Sequence, residues 1–115
     1  MDNFADLMTQ LEALAIEPLE DDLGRLRPTE YALMTARSVL GEIAAVTRLS
    51  YGCISPDYEG GLDIHWFRPD RCVTLAIPHT SDRPKYFFHD EGPEHGLEYD
   101  VAATTIAPYL SRISD

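Results

Sequence analysis

Apolar residues near the start of the chain recur at steps of three and four: Phe4, Leu7, Met8, Leu11, Leu14 and Ala15. That spacing lines one face of a helix of about four turns, and Pro18 ends it. The acidic stretch EPLEDDLGRLRP follows, so residues 1–27 are expected to form a helix and a connector. Pro28 and Thr29 open the longest regular segment, since proline at or just before a first turn suits a helix start. At 100° per residue, Leu33, Ala36, Val39, Leu40, Ile43, Ala44 and Val46 gather into an arc of roughly 160°. This pattern predicts a core-facing helix over residues 28–49.

From Ser50 the period shortens to two. LDIHWF alternates, with Leu62, Ile64 and Trp66 on one face and Asp63, His65 and Phe67 on the other. CVTLAI alternates likewise, and RPDR between them reads as a turn. Pairing Phe67 with Cys72 opposes Trp66 to Val73, Ile64 to Leu75 and Leu62 to Ile77. Both apolar sets then share a face, whereas a slip of one residue would turn one set into water. KYFFH is expected as a third strand, DEGPEHG as a loop, and LEYDV as a short fourth strand with Leu97, Tyr99 and Val101 on one side. The sheet is thus placed within residues 52–101, and a last helix over 104–113. That helix should carry Pro108 in its first turn and Ile106, Tyr109, Leu110 and Ile113 as its apolar stripe. The order indicates one α+β domain: N-terminal helices packed on an antiparallel meander of three to four strands, with a C-terminal helix.

Charge changes what such a domain can bind. The 115 residues hold twenty acids against nine bases, a formal net charge of −11. The excess falls on residues 1–27, with seven acids and two arginines, and on 51–100, with ten acids and four bases. A field of that sign repels phosphate backbones, which argues against direct nucleic-acid binding. Cys53 and Cys72 are the only cysteines and form no C-x-x-C pair, so zinc ribbons and thioredoxin-like motifs are excluded. An acidic N-terminus without a basic region, and the lack of a long apolar run, lead to the expectation of a cytoplasmic protein without membrane contact.

Candidate chemistry is sparse. Asp63 and His65 share a strand face, yet nothing nearby supplies an activated nucleophile. His89 and His95, with Asp90, Glu91 and Glu94 between them, are the densest set of metal-capable side chains, and their spacing across Gly92 and Pro93 matches no standard site. PDYEGG lacks the following acid and lysine of a magnesium nuclease, and Gly60 and Gly61 lead into a strand rather than a helix, unlike a phosphate loop. No cofactor and no catalytic residue is therefore assigned. Phe67, Cys72, Ala76 and Phe87 are placed on the sheet face away from the helices, beside Asp63, His65 and Thr74. That face is covered either by the last helix or by a partner.

Glu59, Gly60, Gly61, Ile64 and Trp66, then Val73, Leu75 and Ile77, then Tyr86, form a Gly-Gly-x-x-Ile-x-Trp hairpin pattern. It resembles one seen in small uncharacterised bacterial α+β proteins. The resemblance implies a helix-plus-meander fold and a bacterial accessory or defence-linked role, and it transfers no catalytic residue. Taken with the charge, the expectation is a non-enzymatic subunit that docks a larger protein with a basic surface. Tyr58, Asp63, His65, Phe67 and Phe87 are its candidate contacts. In an inhibitor or immunity-type version, Asp57, Glu59, Asp82, Asp90, Glu91 and Glu94 stand in for nucleic-acid phosphates. The alternatives are a small enzyme using His65, His89 and His95 with nearby carboxylates, and a homodimer joined through the sheet.

Overall fold

The computed structural model describes residues 3–16, 22, 24, 26–90, 95–100 and 102–114, the last two of these without their side chains. Among the described residues, three helices and one five-stranded antiparallel sheet make an α+β fold: α1 (Phe4–Ala15), α2 (Glu30–Ala44), β1 (Cys53–Pro56), β2 (Leu62–Arg68), β3 (Arg71–Ile77), β4 (Tyr86–Asp90), β5 (His95–Tyr99) and α3 (Ala103–Ser114). The strands lie side by side in chain order, a simple meander.

The β2–β3 hairpin has the register that its alternation demands. Leu62 faces Ile77, Ile64 faces Leu75, Trp66 faces Val73 and Phe67 faces Cys72. Leu62, Ile64, Trp66, Val73, Leu75 and Ile77 are all buried, together with Leu7 and Leu11 of α1, Ala36 and Leu40 of α2, and Ile106 and Leu110 of α3. One core thus lies on one sheet face, and all three helices cover that face.

Four boundaries differ from the sequence pattern. The first is a fifth strand, β1, which expected strand counts of three or four omit. Four residues ending in proline carry too little alternation to announce a strand. Its pairing comes from afar: β2 binds one side, and on the other the Gln10 side chain of α1 accepts from Ile54 N at 2.7 Å and donates to Gly52 O at 2.9 Å. A glutamine amide thereby completes the edge of the sheet.

Second, α2 stops at Ala44 rather than running to residue 49. Its start is as expected, with Thr29 as N-cap accepting from Ala32 N. At the other end Val46 N and Thr47 N both turn back to Ile43 O, and the chain leaves the helix axis. Val46 is consequently 56% exposed, while Leu49 is fully buried in its stead. Asn3 of the α1 start fastens this turn, donating to Leu49 O through both its backbone and its side-chain nitrogen.

Third, the last strand lies two residues earlier than LEYDV, pairing His95 with Asp90 and Tyr99 with Tyr86. Val101 lies outside the described residues. Fourth, α3 begins at Ala103, so Pro108 sits beyond the first turn and inside the helix, where it cannot donate to the Thr104 carbonyl. Ile106 and Leu110 are fully buried and Tyr109 partly so, and the Ile113 side chain is outside the described set. No helix among the described residues is long and apolar enough to cross a membrane.

Candidate functional site

Because every helix is on one face, the other sheet face is open among the described residues. Strand pairing arranges its side chains in cross-strand rows. One row runs Cys53, His65, Thr74, Phe88, Leu97, and the next runs Ser55, Asp63, Ala76, Tyr86, Tyr99. A third joins Phe67, Cys72, Asp90 and His95. Phe67 is 62% exposed, Tyr99 59% and Leu97 49%. Such a run of apolar side chains on a surface that water would otherwise cover is the usual mark of an interaction face.

The sequence-derived contacts distribute unevenly over this geometry. Asp63, His65 and Phe67 do lie on the open face. The His65 ring stacks on Phe67 with centroids 5.7 Å apart and shares a hydrogen bond of 3.0 Å between Nδ1 and Thr74 Oγ1. Phe87 does not join them: it is opposite Leu75, fully buried, with Tyr109 of α3 edge-on against its ring. The neighbouring residues Tyr86 and Phe88 take the open face instead, since adjacent residues of a strand alternate. Asp82 is exposed in the β3–β4 loop, and Asp90 ends β4 at the opposite end of the sheet from Asp57 and Glu59. Glu91 and Glu94 lie outside the described residues.

The histidines are kept apart. His89 is buried on the helix-covered face, its ring 4.3 Å from that of Tyr109, with Nε2 3.9 Å from a Glu98 carboxylate oxygen. His95 pairs with Asp90 and therefore belongs to the open face, at its far edge. His65 is three strands away from it. A β-sheet spaces those strands by about 4.8 Å each, and His89 lies on the sheet face opposite to the other two, so no two of the three can meet on one atom. Among the described residues no three metal-capable side chains converge.

At one end of the open face the rows frame a cleft of about 540 Å³, lined by Asp57, Glu59 and Asp63, by Ala76, Ile77 and Pro78, by His79, Arg83 and Pro84, and by Tyr86 and Tyr99. The loop that carries two of the carboxylates is tightly built. Asp57 Oδ1 accepts from Glu59 N at 2.8 Å and from Gly61 N at 2.9 Å. Tyr58 and Gly60 adopt left-handed backbone, with φ of 68° and 98°, and Gly60 takes it without steric cost. Two backbone bonds then tie the loop to the segment before α2: Leu26 N donates to Tyr58 O and Thr29 N to Gly60 O. Tyr86 and Tyr99 stand edge to face side by side in the cleft wall, their centroids 6.2 Å apart.

The electrostatics of the cleft follow from burial and like charge. Asp63 holds its proton above the usual aspartate range, chiefly because burial disfavours the carboxylate; nearby Asp57 adds to this and His65 opposes it. The Tyr86 phenol is also pushed up, first by burial and then by the charges of Asp63 and Asp57. A carboxyl whose folded pKa exceeds its unfolded one favours the fold below the unfolded value, and that contribution is lost as pH rises through the folded value. Asp63→Asn should therefore raise the melting temperature at pH 7. The gain should vanish below pH ~4, where aspartate is protonated in both states. Melting curves across that range that stay parallel, or an asparagine variant less stable at pH 7, would contradict this account.

Sequence reasoning missed the partnership of Tyr86, Tyr99 and Asp63, since each belongs to a different strand. The alternation of LEYDV does put Leu97 and Tyr99 on one face, but only the register across four strands aligns them with Asp63. Neither the family models, nor the curated proteins, nor the solved structures yield a match to this chain.

Proposed function

We infer that this chain is a non-enzymatic docking subunit whose open sheet face binds a larger protein with a basic surface. The carrying observation is that face itself: Phe67, Leu97, Tyr86 and Tyr99 stand exposed on the five-stranded sheet, next to a cleft walled by Asp57, Glu59 and Asp63. Exposed aromatic and aliphatic side chains supply the desolvated contacts that dominate binding energy. The net charge of −11 favours a partner of opposite sign, because complementary fields speed encounter and orient docking. The same charge opposes face-to-face pairing of two copies. An inhibitor that covers a basic nucleic-acid groove is one form of this reading, and it would use the Asp57 and Glu59 end of the sheet.

The partner retained by the wild-type chain from lysate of its source cells should be lost with the double variant Phe67→Ser and Leu97→Ser, whose exposed positions leave the core intact. It should also be released when salt rises to about 0.5 M, where the screening length falls to a few ångströms. Retention unchanged by both treatments would refute the assignment of this face. A doubled mass of the isolated chain in light scattering, lost in the double variant, would assign the face to a second copy instead.

A further inference from the structure

Asp63, Ala76, Tyr86 and Tyr99 form one cross-strand row, in that order. Two strand spacings, about 10 Å, separate the backbone of Asp63 from that of Tyr86, and only a methyl side chain lies between them. The small residue leaves a hollow with a carboxylate on one wall and two phenol rings on the other. Ala76 itself is buried beneath it.

The chemistry of the walls selects among cations. A compact divalent ion needs several converging oxygens. Here Asp57 Oδ1 is committed to two backbone N–H groups, and among the described residues no three ligands gather. An organic cation has different needs: one carboxylate for its charge and aromatic surface for its carbon-bearing faces. Guanidinium suits this best, because it is planar, weakly hydrated, stacks on aromatic rings and donates in a fork to a carboxylate. Arg83 lines the rim of the cleft, but no ion pair among the described residues joins it to Asp57, Glu59 or Asp63. The acidic wall is thus not neutralised from within.

We propose that the cleft between Asp63 and the Tyr86–Tyr99 pair is a guanidinium site, which receives an arginine side chain of the docked protein. This rests on the docking reading above and names the chemistry that the cleft would recognise in the partner. The arginine would enter from the open face, with its guanidinium against Asp63 and its edge along the two rings. Phe67 and Leu97, farther along the sheet, would meet the apolar surface around it.

Titration of the ¹⁵N-labelled chain with N-acetyl-arginine amide tests the site without the partner. Saturable shifts are expected at Ala76, Tyr86 and Tyr99, with a dissociation constant on the order of 1 mM for so small a probe. Asp63→Asn should weaken binding roughly tenfold, as expected when a charge-assisted pair becomes neutral. Tyr99→Ala, a change at an exposed ring that leaves the core untouched, should weaken it as well. N-acetyl-citrulline amide has nearly the same shape without the charge and should not bind. Equal binding of the citrulline probe, or no saturable shift from the arginine probe, would overturn the guanidinium site while leaving the Phe67 and Leu97 test of docking untouched. Binding of free arginine with no response to the blocked amide would assign the cleft to a small molecule and overturn the partner-borne arginine. Conversely, arginine-probe binding with partner capture unaffected by the Phe67 and Leu97 changes would sink the docking reading, and with it the partner-borne arginine, while the guanidinium site itself would stand.

Discussion

Trp66→Ala should cost about 3–5 kcal/mol of folding stability, the range for removing a large aromatic from a packed core. Trp66 is fully buried at the middle of β2, opposite Val73. Its indole rests directly against backbone: a Cβ added to Gly52 would meet Nε1 at 2.7 Å, so the first residue before β1 has to lack a side chain. A domain of this size has a total stability of roughly 5–15 kcal/mol, so the variant should lie near the edge of folding. It is the only tryptophan, which makes far-ultraviolet circular dichroism in urea the appropriate probe rather than fluorescence. Trp66→Phe makes a sharper companion. The indole Nε1 is buried with no hydrogen-bond partner among the described residues, so phenylalanine loses volume but no bond and should retain most of the stability. A loss below about 1 kcal/mol for the alanine variant, typical of a surface change, would mean that Trp66 does not anchor the sheet to its helices.

Gly61→Ala should be the other severe change, and its effect should reach the cleft. A Cβ at this position would stand 2.5 Å from the Ile77 carbonyl oxygen and 2.5 Å from Asp57 Oδ2. The carboxylate could swing away, but the carbonyl belongs to the end of β3 and can retreat only by moving the strand. A loss of about 2–4 kcal/mol is expected, comparable to other overpacked sites that force backbone shifts. Adding Asp57→Ala in the same chain should not restore the fold, because the Ile77 oxygen remains. Thermal melts of the single and double variants decide this. Full rescue by Asp57→Ala would show that the clash lies with the side chain alone, and a melting temperature equal to wild type for Gly61→Ala would refute the packing described for the loop.

The two variants also differ in what the sequence could foretell. The alternation of LDIHWF and CVTLAI is enough to place Trp66 inward and to set the β2–β3 register, because the turn between them is short and one face must be apolar. The helical stripes of α1 and of most of α2 are readable for the same reason. By contrast, the crowding at Gly61 involves Ile77, sixteen positions away on another strand, and nothing local to EGGLD signals it. Phe87 shows the limit within a single strand. In KYFFH two adjacent phenylalanines make either assignment of faces equally apolar, and it is the pairing with Leu75 that turns Phe87 into the core and leaves Tyr86 and Phe88 outside. Likewise β1 exists because Gln10 reaches its edge from α1, and Val46 gives its place to Leu49 because the turn after Ala44 docks on Asn3.

Local periodicity therefore determined the helix stripes and the central hairpin, since these depend on residues close together in the chain, and composition alone determined the acidic charge. The cleft did not follow from it. Asp63, Ala76, Tyr86 and Tyr99 meet only through the registers of four strands, and the openness of their face depends on α3 packing beside α1 and α2 on the opposite side. Alternation says which side chains of one strand share a face. Which strands become neighbours, and which face the helices choose, is settled by burying one common core at long range, and that packing placed an acid and two tyrosines around one hollow.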